Sequence, residues 1–182
     1  MHKDIYWNGA ALGAGAALLP WLRDHGSLTQ RIQQRCSRFN VRNLRSSLAR
    51  IALDESSLLG IAPHQFAWSR EVFLHADGQP VVFAHSACAT RHLRGAWAAL
   101  RNLGDKPLGA VLFALPQVQR QPLHYKALHP HHPLYRSATA GMPTPPDRLW
   151  ARRSLFLLHG APLLVTEVFL PEIMRLGLRI EE

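Results

Sequence analysis

Two strand-like runs, Trp68 to His75 and Pro80 to Ser86, are joined at Asp77-Gly78, and this pairing restricts the fold more than any other stretch of the chain. Asp-Gly supplies the positive φ angles that a two-residue hairpin turn requires, so the two runs must lie antiparallel. A second pair near the C-terminus follows the same logic: Leu149 to His159, a turn at Gly160, and Pro162 to Leu170. Its last run is nearly all apolar, as expected for a strand in the middle of a sheet with both faces covered. Hairpins with helices set between them define an α+β class with a largely antiparallel sheet.

The intervening segments supply the helices. Residues 18–35 read as two helical pieces, with Ser27 capping the second ahead of Leu28 and Ile32. Phe39 to Leu53 loosens into alternation and is expected as a strand. Arg91 to Leu103 places Leu93, Trp97 and Leu100 on one helical face and stops before Gly104. Leu108 to Phe113 predicts a helical turn after Pro107, and Gln117 to Leu128 a further strand. Residues 129–147 are rich in proline, histidine and small residues without a period, which predicts an exposed loop. With 182 residues the chain is expected to form one domain over 1–182.

The net charge of +9 is compatible with a polyanion partner, a membrane surface or an anionic small molecule. The densest basic patch, Arg35, Arg38, Arg42, Arg45 and Arg50, has only Phe39 near it, whereas surfaces that stack bases interleave cations with aromatics. Nucleic-acid binding is therefore not expected. No run approaches the ~20 apolar residues of a spanning helix. Gly9 to Leu19 is small and apolar like a signal-peptide core, but it runs straight into Leu19-Pro20-Trp21-Leu22, which reads as the start of a folded helix. Cys36 and Cys88 have no spacing that suits zinc, and reduced thiols in a cytoplasmic protein are the default. His131-His132, flanked by Pro130 and Pro133, lacks the geometry of a helical metal pair, so no metal is expected.

Glu167 and Arg70 are the residues that ask for an explanation. Alternation puts Glu167 between Val165 and Phe169, and Arg70 on one face with Trp68, Val72 and Leu74. Either each is buried and must be paired or face a polar cavity, or each sits at a strand edge in solvent. A guanidinium fixed on a strand can grip a carboxylate through two parallel hydrogen bonds.

Five motifs occur in order from about residue 21 to residue 171: Ser27-Leu28-Thr29; Arg70-Glu71 ahead of Asp77-Gly78-Gln79-Pro80; Leu103-Gly104-Asp105-Lys106-Pro107-Leu108-Gly109; Trp150-Ala151-Arg152-Arg153-Ser154; and Pro162 through Pro171. Together they resemble the bacterial chorismate pyruvate-lyases. The resemblance implies an antiparallel sheet with helices on one side and a small buried pocket under helix-turn flaps. It implies cofactor-independent cleavage of chorismate to 4-hydroxybenzoate and pyruvate, the first committed step of ubiquinone synthesis, by a monomer. Arg70 would bind the ring carboxylate, Glu167 would meet the oxygen that becomes the product hydroxyl, and Leu28 and Leu108 would contact the ligand from the flaps. Leu28 stands where methionine occurs in the family; a backbone contact survives that change. The segment 129–147 looks longer than its family counterpart. Glu167, protonated for part of the time in its apolar strand, is the expected donor to the departing ether oxygen. Arg152 or Arg153 would reach the pyruvyl carboxylate, because consecutive strand residues point to opposite faces. The competing reading is a sensor, since the fold also resembles the effector-binding domain of certain bacterial transcription regulators.

Overall fold

The computed structural model describes residues 7–177. Helices α1 (Leu19–Leu22) and α2 (Leu28–Gln33) precede strand β1 (Phe39–Arg50) and helix α3 (Leu53–Ser56). The hairpin β2 (Phe66–Ala76) and β3 (Gln79–Cys88) leads through two 3-10 turns to α4 (Leu108–Ala114). Strands β4 (Gln119–Arg120) and β5 (His124–Leu128), helix α5 (Pro133–Thr139) and the hairpin β6 (Leu149–Leu158) and β7 (Ala161–Phe169) follow, and a final 3-10 turn spans Pro171–Arg175. The strands form one antiparallel sheet in the order β1-β2-β3-β7-β6-β4, with β5 also paired to β6.

Both expected hairpins form, with positive φ at Asp77 and Gly78 in one turn and at His159 and Gly160 in the other. Asp77 also ties the turn to a neighbouring strand, because its Oδ1 accepts from Ser37 and Arg38 backbone N–H at 2.9 and 2.8 Å and so fixes the start of β1 beside it. β7 lies between β3 and β6, which explains its apolar sequence.

Side-chain alternation gives the sheet two unlike faces. One carries Arg70, Val72 and Leu74 of β2, Ala84 and Ser86 of β3, Val165, Glu167 and Phe169 of β7, and Arg152 and Phe156 of β6, matched across the strands by the register. Helices α1, α2 and α4 and the turns after β3 cover it, contributing Trp21, Leu22, Leu28, Ile32, Trp97, Leu100 and Leu112 to its core. These are the helices expected on the pocket side. The other face is covered as well. Trp7 and α5 pack over Phe83, Ala151 and Val168, and Leu59, following α3, packs over Ala67, Ala87 and Leu164.

Three local expectations need correction. Arg91 to Leu103 is not one helix but two 3-10 turns, Thr90–Arg94 and Ala98–Asn102. Gly95 breaks it at φ −130° and ψ −116°, outside any helical region. Gln117 to Leu128 is two short strands separated at Pro122, which has no N–H to give to β6. The segment 129–147 is not simply an exposed loop: α5 lies within it and buries Leu134, Tyr135 and Ala138. Its start obeys capping chemistry, with Pro133 in the first turn and His132 Nδ1 accepting from Leu134 N–H at 3.2 Å. The Tyr135 hydroxyl donates to the Pro146 carbonyl and folds the rest of the segment back onto the helix. Ahead of α1, Trp7, Ala11 and Leu18 are buried, so the small apolar stretch packs as part of the fold. No helix among the described residues is long and apolar enough to cross a membrane.

Candidate active site

A cavity lies between the sheet and the helical layer formed by α2 and α4. Arg70, Val72, Leu74, Ala84, Ser86, Phe156, Val165 and Glu167 line it from the sheet, and Leu28, Thr29, Leu108, Gly109, Leu112 and Phe113 from the helices. Arg70, Glu167, Leu28 and Leu108, the four residues singled out from sequence, all meet there. The two flaps touch through a seam: a Cβ on Gly109 would meet the hydroxyl oxygens of Ser27 and Thr29 at 3.3 Å, so any larger residue there would make those side chains give by a few tenths of an ångström.

Arg70 is buried, at 3% exposure. Its Nη2 donates to the carbonyls of Gly104 and Lys106 at 3.1 and 2.9 Å, which tethers the loop leading into α4. Its Nε has no partner among the described residues. Burial works against the charge on this guanidinium and lowers its pKa, with Asp105 acting in the opposite sense. An anion arriving in the cavity would remove that penalty.

Glu167 is held from beneath. Arg152, directly opposite in the β6–β7 register, donates from Nε to Glu167 Oε2 at 2.5 Å. Arg152 is wholly buried, and its Nη1 donates to the backbone carbonyls of Trp21, Leu22 and Asp24. One side chain thus fixes both the carboxylate in the cavity and the segment joining α1 to α2. Glu167 is neither in free solvent nor alone in an apolar strand. It sits on the central strand with a cation behind it and the cavity in front.

This arrangement corrects the expectation for the second carboxylate. Arg153 faces the opposite side of the sheet, where its Nη1 donates to Asp54 Oδ2 at 2.7 Å and its guanidinium lies 4.3 Å from the Trp7 ring centre. Arg152 faces the correct side but is engaged with Glu167 and three carbonyls, and it is not part of the cavity wall. The second guanidinium that does line the cavity is Arg120. Sequence reading missed it because β4 is two residues long and has no period to detect. Its one available signal was a lone arginine amid glutamines and Pro122 in a run expected to join the sheet.

The chorismate lyase family profile matches residues 4–176. The chain belongs to the chorismate lyase family. Among its relatives, a probable chorismate pyruvate-lyase of Nitrosomonas europaea is 47% identical over 176 residues, covering 97% of this chain and 99% of the relative. Another of the same name from Nitrosospira multiformis is 48% identical, covering 94% and 96%, and one from an Azoarcus species is 51% identical, covering 87% and 86%. Among solved structures, the PhnF C-terminal domain superposes with a TM-score of 0.57 at 13% identity, covering 83% of this chain and 93% of that one. A GntR-family transcriptional regulator from Bacillus cereus gives 0.53, also at 13% identity, covering 75% and 94%. The chorismate lyase family thus shares its fold with regulator domains, a likeness that concerns the backbone and leaves the side chains of the cavity to decide chemistry.

Proposed function

We propose that this protein cleaves chorismate to 4-hydroxybenzoate and pyruvate in the cavity beneath α2 and α4. The observation that carries the reading is the convergence of Arg70 and Glu167 on one cavity whose remaining wall is largely apolar. They stand two strands apart with a two-residue offset in register. Spacings of about 4.8 Å between strands and about 3.3 Å along them put the two Cα atoms about 12 Å apart. A six-membered ring carrying a carboxylate and an oxygen at opposite ends fills that span once both side chains reach inward.

The reaction needs the C3–O bond of the ring to break and the hydrogen at C4 to leave, while the departing enolpyruvyl group gains a proton and becomes pyruvate. Aromatisation drives it downhill, so orientation and electrostatics suffice and no metal or organic cofactor is required. Arg70 fixes the ring through its carboxylate. Glu167 accepts a hydrogen bond from the ring hydroxyl, which sets the direction of the neighbouring C–H and C–O bonds. Its Oε2 already accepts the Arg152 guanidinium N–H at 2.5 Å, so Oε1 is the oxygen left to meet the ring hydroxyl. Leu28 and Leu108 close the chamber over the ring. Quinone synthesis is the use of the product that the sequence resemblance implies.

The test is to mix the purified protein with chorismate, follow 4-hydroxybenzoate by absorbance and measure pyruvate with a coupled dehydrogenase. Equal yields of both, well above the uncatalysed control, support the reading. Binding of 4-hydroxybenzoate without turnover would instead favour a sensor.

A further inference from the structure

We infer that Arg120 binds the second carboxylate of the substrate, the one on the enolpyruvyl arm, and is the residue by which the site tells substrate from product. The inference rests on the chorismate reading above and adds the recognition of the half of the molecule that leaves.

Charge in the chamber poses the problem. Its wall carries two guanidinium groups, Arg70 and Arg120, and one carboxylate, Glu167, whose Oε2 is already taken by Arg152 from behind. Buried cations without counterions are costly, and the wall is one anion short even after a ring carboxylate has reached Arg70. A substrate with two carboxylates supplies that anion, whereas a product with one does not.

Geometry assigns the second anion to Arg120. β4 pairs with β6 so that Arg120 is opposite Phe156, on the face that carries Glu167. The guanidinium lies 5.3 Å from the Phe156 ring centre and 5.8 Å from that of Phe113, two aromatic contacts that restrict its plane. Its Nη1 donates to the carbonyls of His25 and Gly26 at 2.8 and 3.4 Å, which anchors the approach to α2. Its Nε is buried without a partner among the described residues. Burial lowers its pKa, and Glu167 leads the charges that act in the opposite sense. Arg120 therefore mirrors Arg70: each spends one nitrogen on carbonyls at the root of a flap and keeps an unpaired Nε in the buried layer next to the cavity.

The experiment compares wild type, Arg120→Lys and Arg120→Met in two measurements on the same preparations: steady-state kinetics with chorismate, and direct titration with 4-hydroxybenzoate. Loss of one charge-assisted contact should raise KM for chorismate roughly 10- to 100-fold in Arg120→Met, with a smaller rise in Arg120→Lys. The Kd for 4-hydroxybenzoate should stay within about threefold of wild type in both, because its carboxylate is held by Arg70. A parallel rise of KM and Kd would mean that Arg120 only props the flap, and would overturn the inference. So would an unchanged KM. If Arg120→Met does not fold, the same comparison in Arg120→Lys decides. Wild-type protein that forms no 4-hydroxybenzoate would sink the lyase reading itself, a result separable from any behaviour of the variants.

Discussion

Replacing Arg152 with methionine keeps most of the bulk of the side chain and removes everything polar about it. Four hydrogen bonds disappear: one to Glu167 Oε2 and three to the carbonyls of Trp21, Leu22 and Asp24. Glu167, whose side chain is 17% exposed, is then left in a mostly covered site without its guanidinium partner. Breaking one side of a buried pair costs about 3–5 kcal/mol. The orphaned carbonyls add to this, tempered by water reaching Asp24 at the surface. Against a total stability of about 5–15 kcal/mol, the variant should remain folded at 25 °C with little margin. With an m-value of about 2 kcal/mol/M in urea, the midpoint should fall by about 2 M, read by circular dichroism or tryptophan fluorescence. The double variant Arg152→Met/Glu167→Gln provides the internal control. It removes the stranded charge, so its loss should be smaller than the sum of the two single losses by about 0.5–3 kcal/mol. A loss under about 1 kcal/mol for Arg152→Met, or strict additivity in the cycle, would refute the account of Arg152 as the residue that holds Glu167 in place.

On the catalytic side, Arg70→Ala should weaken 4-hydroxybenzoate binding by about 2–5 kcal/mol in a direct titration, whereas Glu167→Gln should lower kcat more than affinity; wild-type kinetics in either removes the assigned role. The second face of the sheet carries a pH-dependent cluster. His85 Nε2 is 3.2 Å from Glu55 and its Nδ1 3.4 Å from Glu71. Burial opposes the imidazolium, yet the two carboxylates outweigh it and push His85 up to about 10, while Glu55 and Glu71 end below their ordinary 4.5. The stabilisation from His85 is therefore complete below about pH 6.5 and fades as pH rises toward 10. That from the two glutamates is present above about 4.5 and fades in acid. Unfolding free energies of wild type against pH should be highest between those limits and fall by a few kcal/mol on the alkaline side, and a His85→Gln variant should lose that alkaline slope. Leu134→Ala should cost about 2–5 kcal/mol in urea denaturation, since α5 is packed; a cost within about 0.5 kcal/mol would restore the exposed-loop reading of residues 129–147.

What could be read from the sequence was whatever repeats or turns sharply. Asp77-Gly78 and His159-Gly160 announced both hairpins because positive φ is a local demand that few residues meet. Glu167 and Arg70 stood out because a charge in an apolar alternation needs a reason, though whether they faced a cavity or solvent depended on the strand order, which local sequence does not carry. Alternation correctly put Arg152 and Arg153 on opposite faces, but not what each would find there: Asp54 for Arg153, and Glu167 with three carbonyls for Arg152, arrive from distant parts of the chain. Gly95 and Pro133 misled in opposite directions. A helical apolar spacing around Gly95 was compatible with two tight turns, and proline, taken as a sign of loop, stood in the first turn of α5.

The Arg152 contacts also set an order in time. During synthesis α1 and α2 leave the ribosome early, but the donor for the Trp21, Leu22 and Asp24 carbonyls lies about 130 residues later. Arg120 arrives about 95 residues after the carbonyls it bonds. At roughly 5–20 residues per second, the segment joining α1 to α2 waits on the order of 10 s for its anchor. Leu22, Leu28 and Ile32, all buried in the finished fold, belong to a cluster that includes Phe169 of β7, so that cluster too is incomplete until β7 has been made.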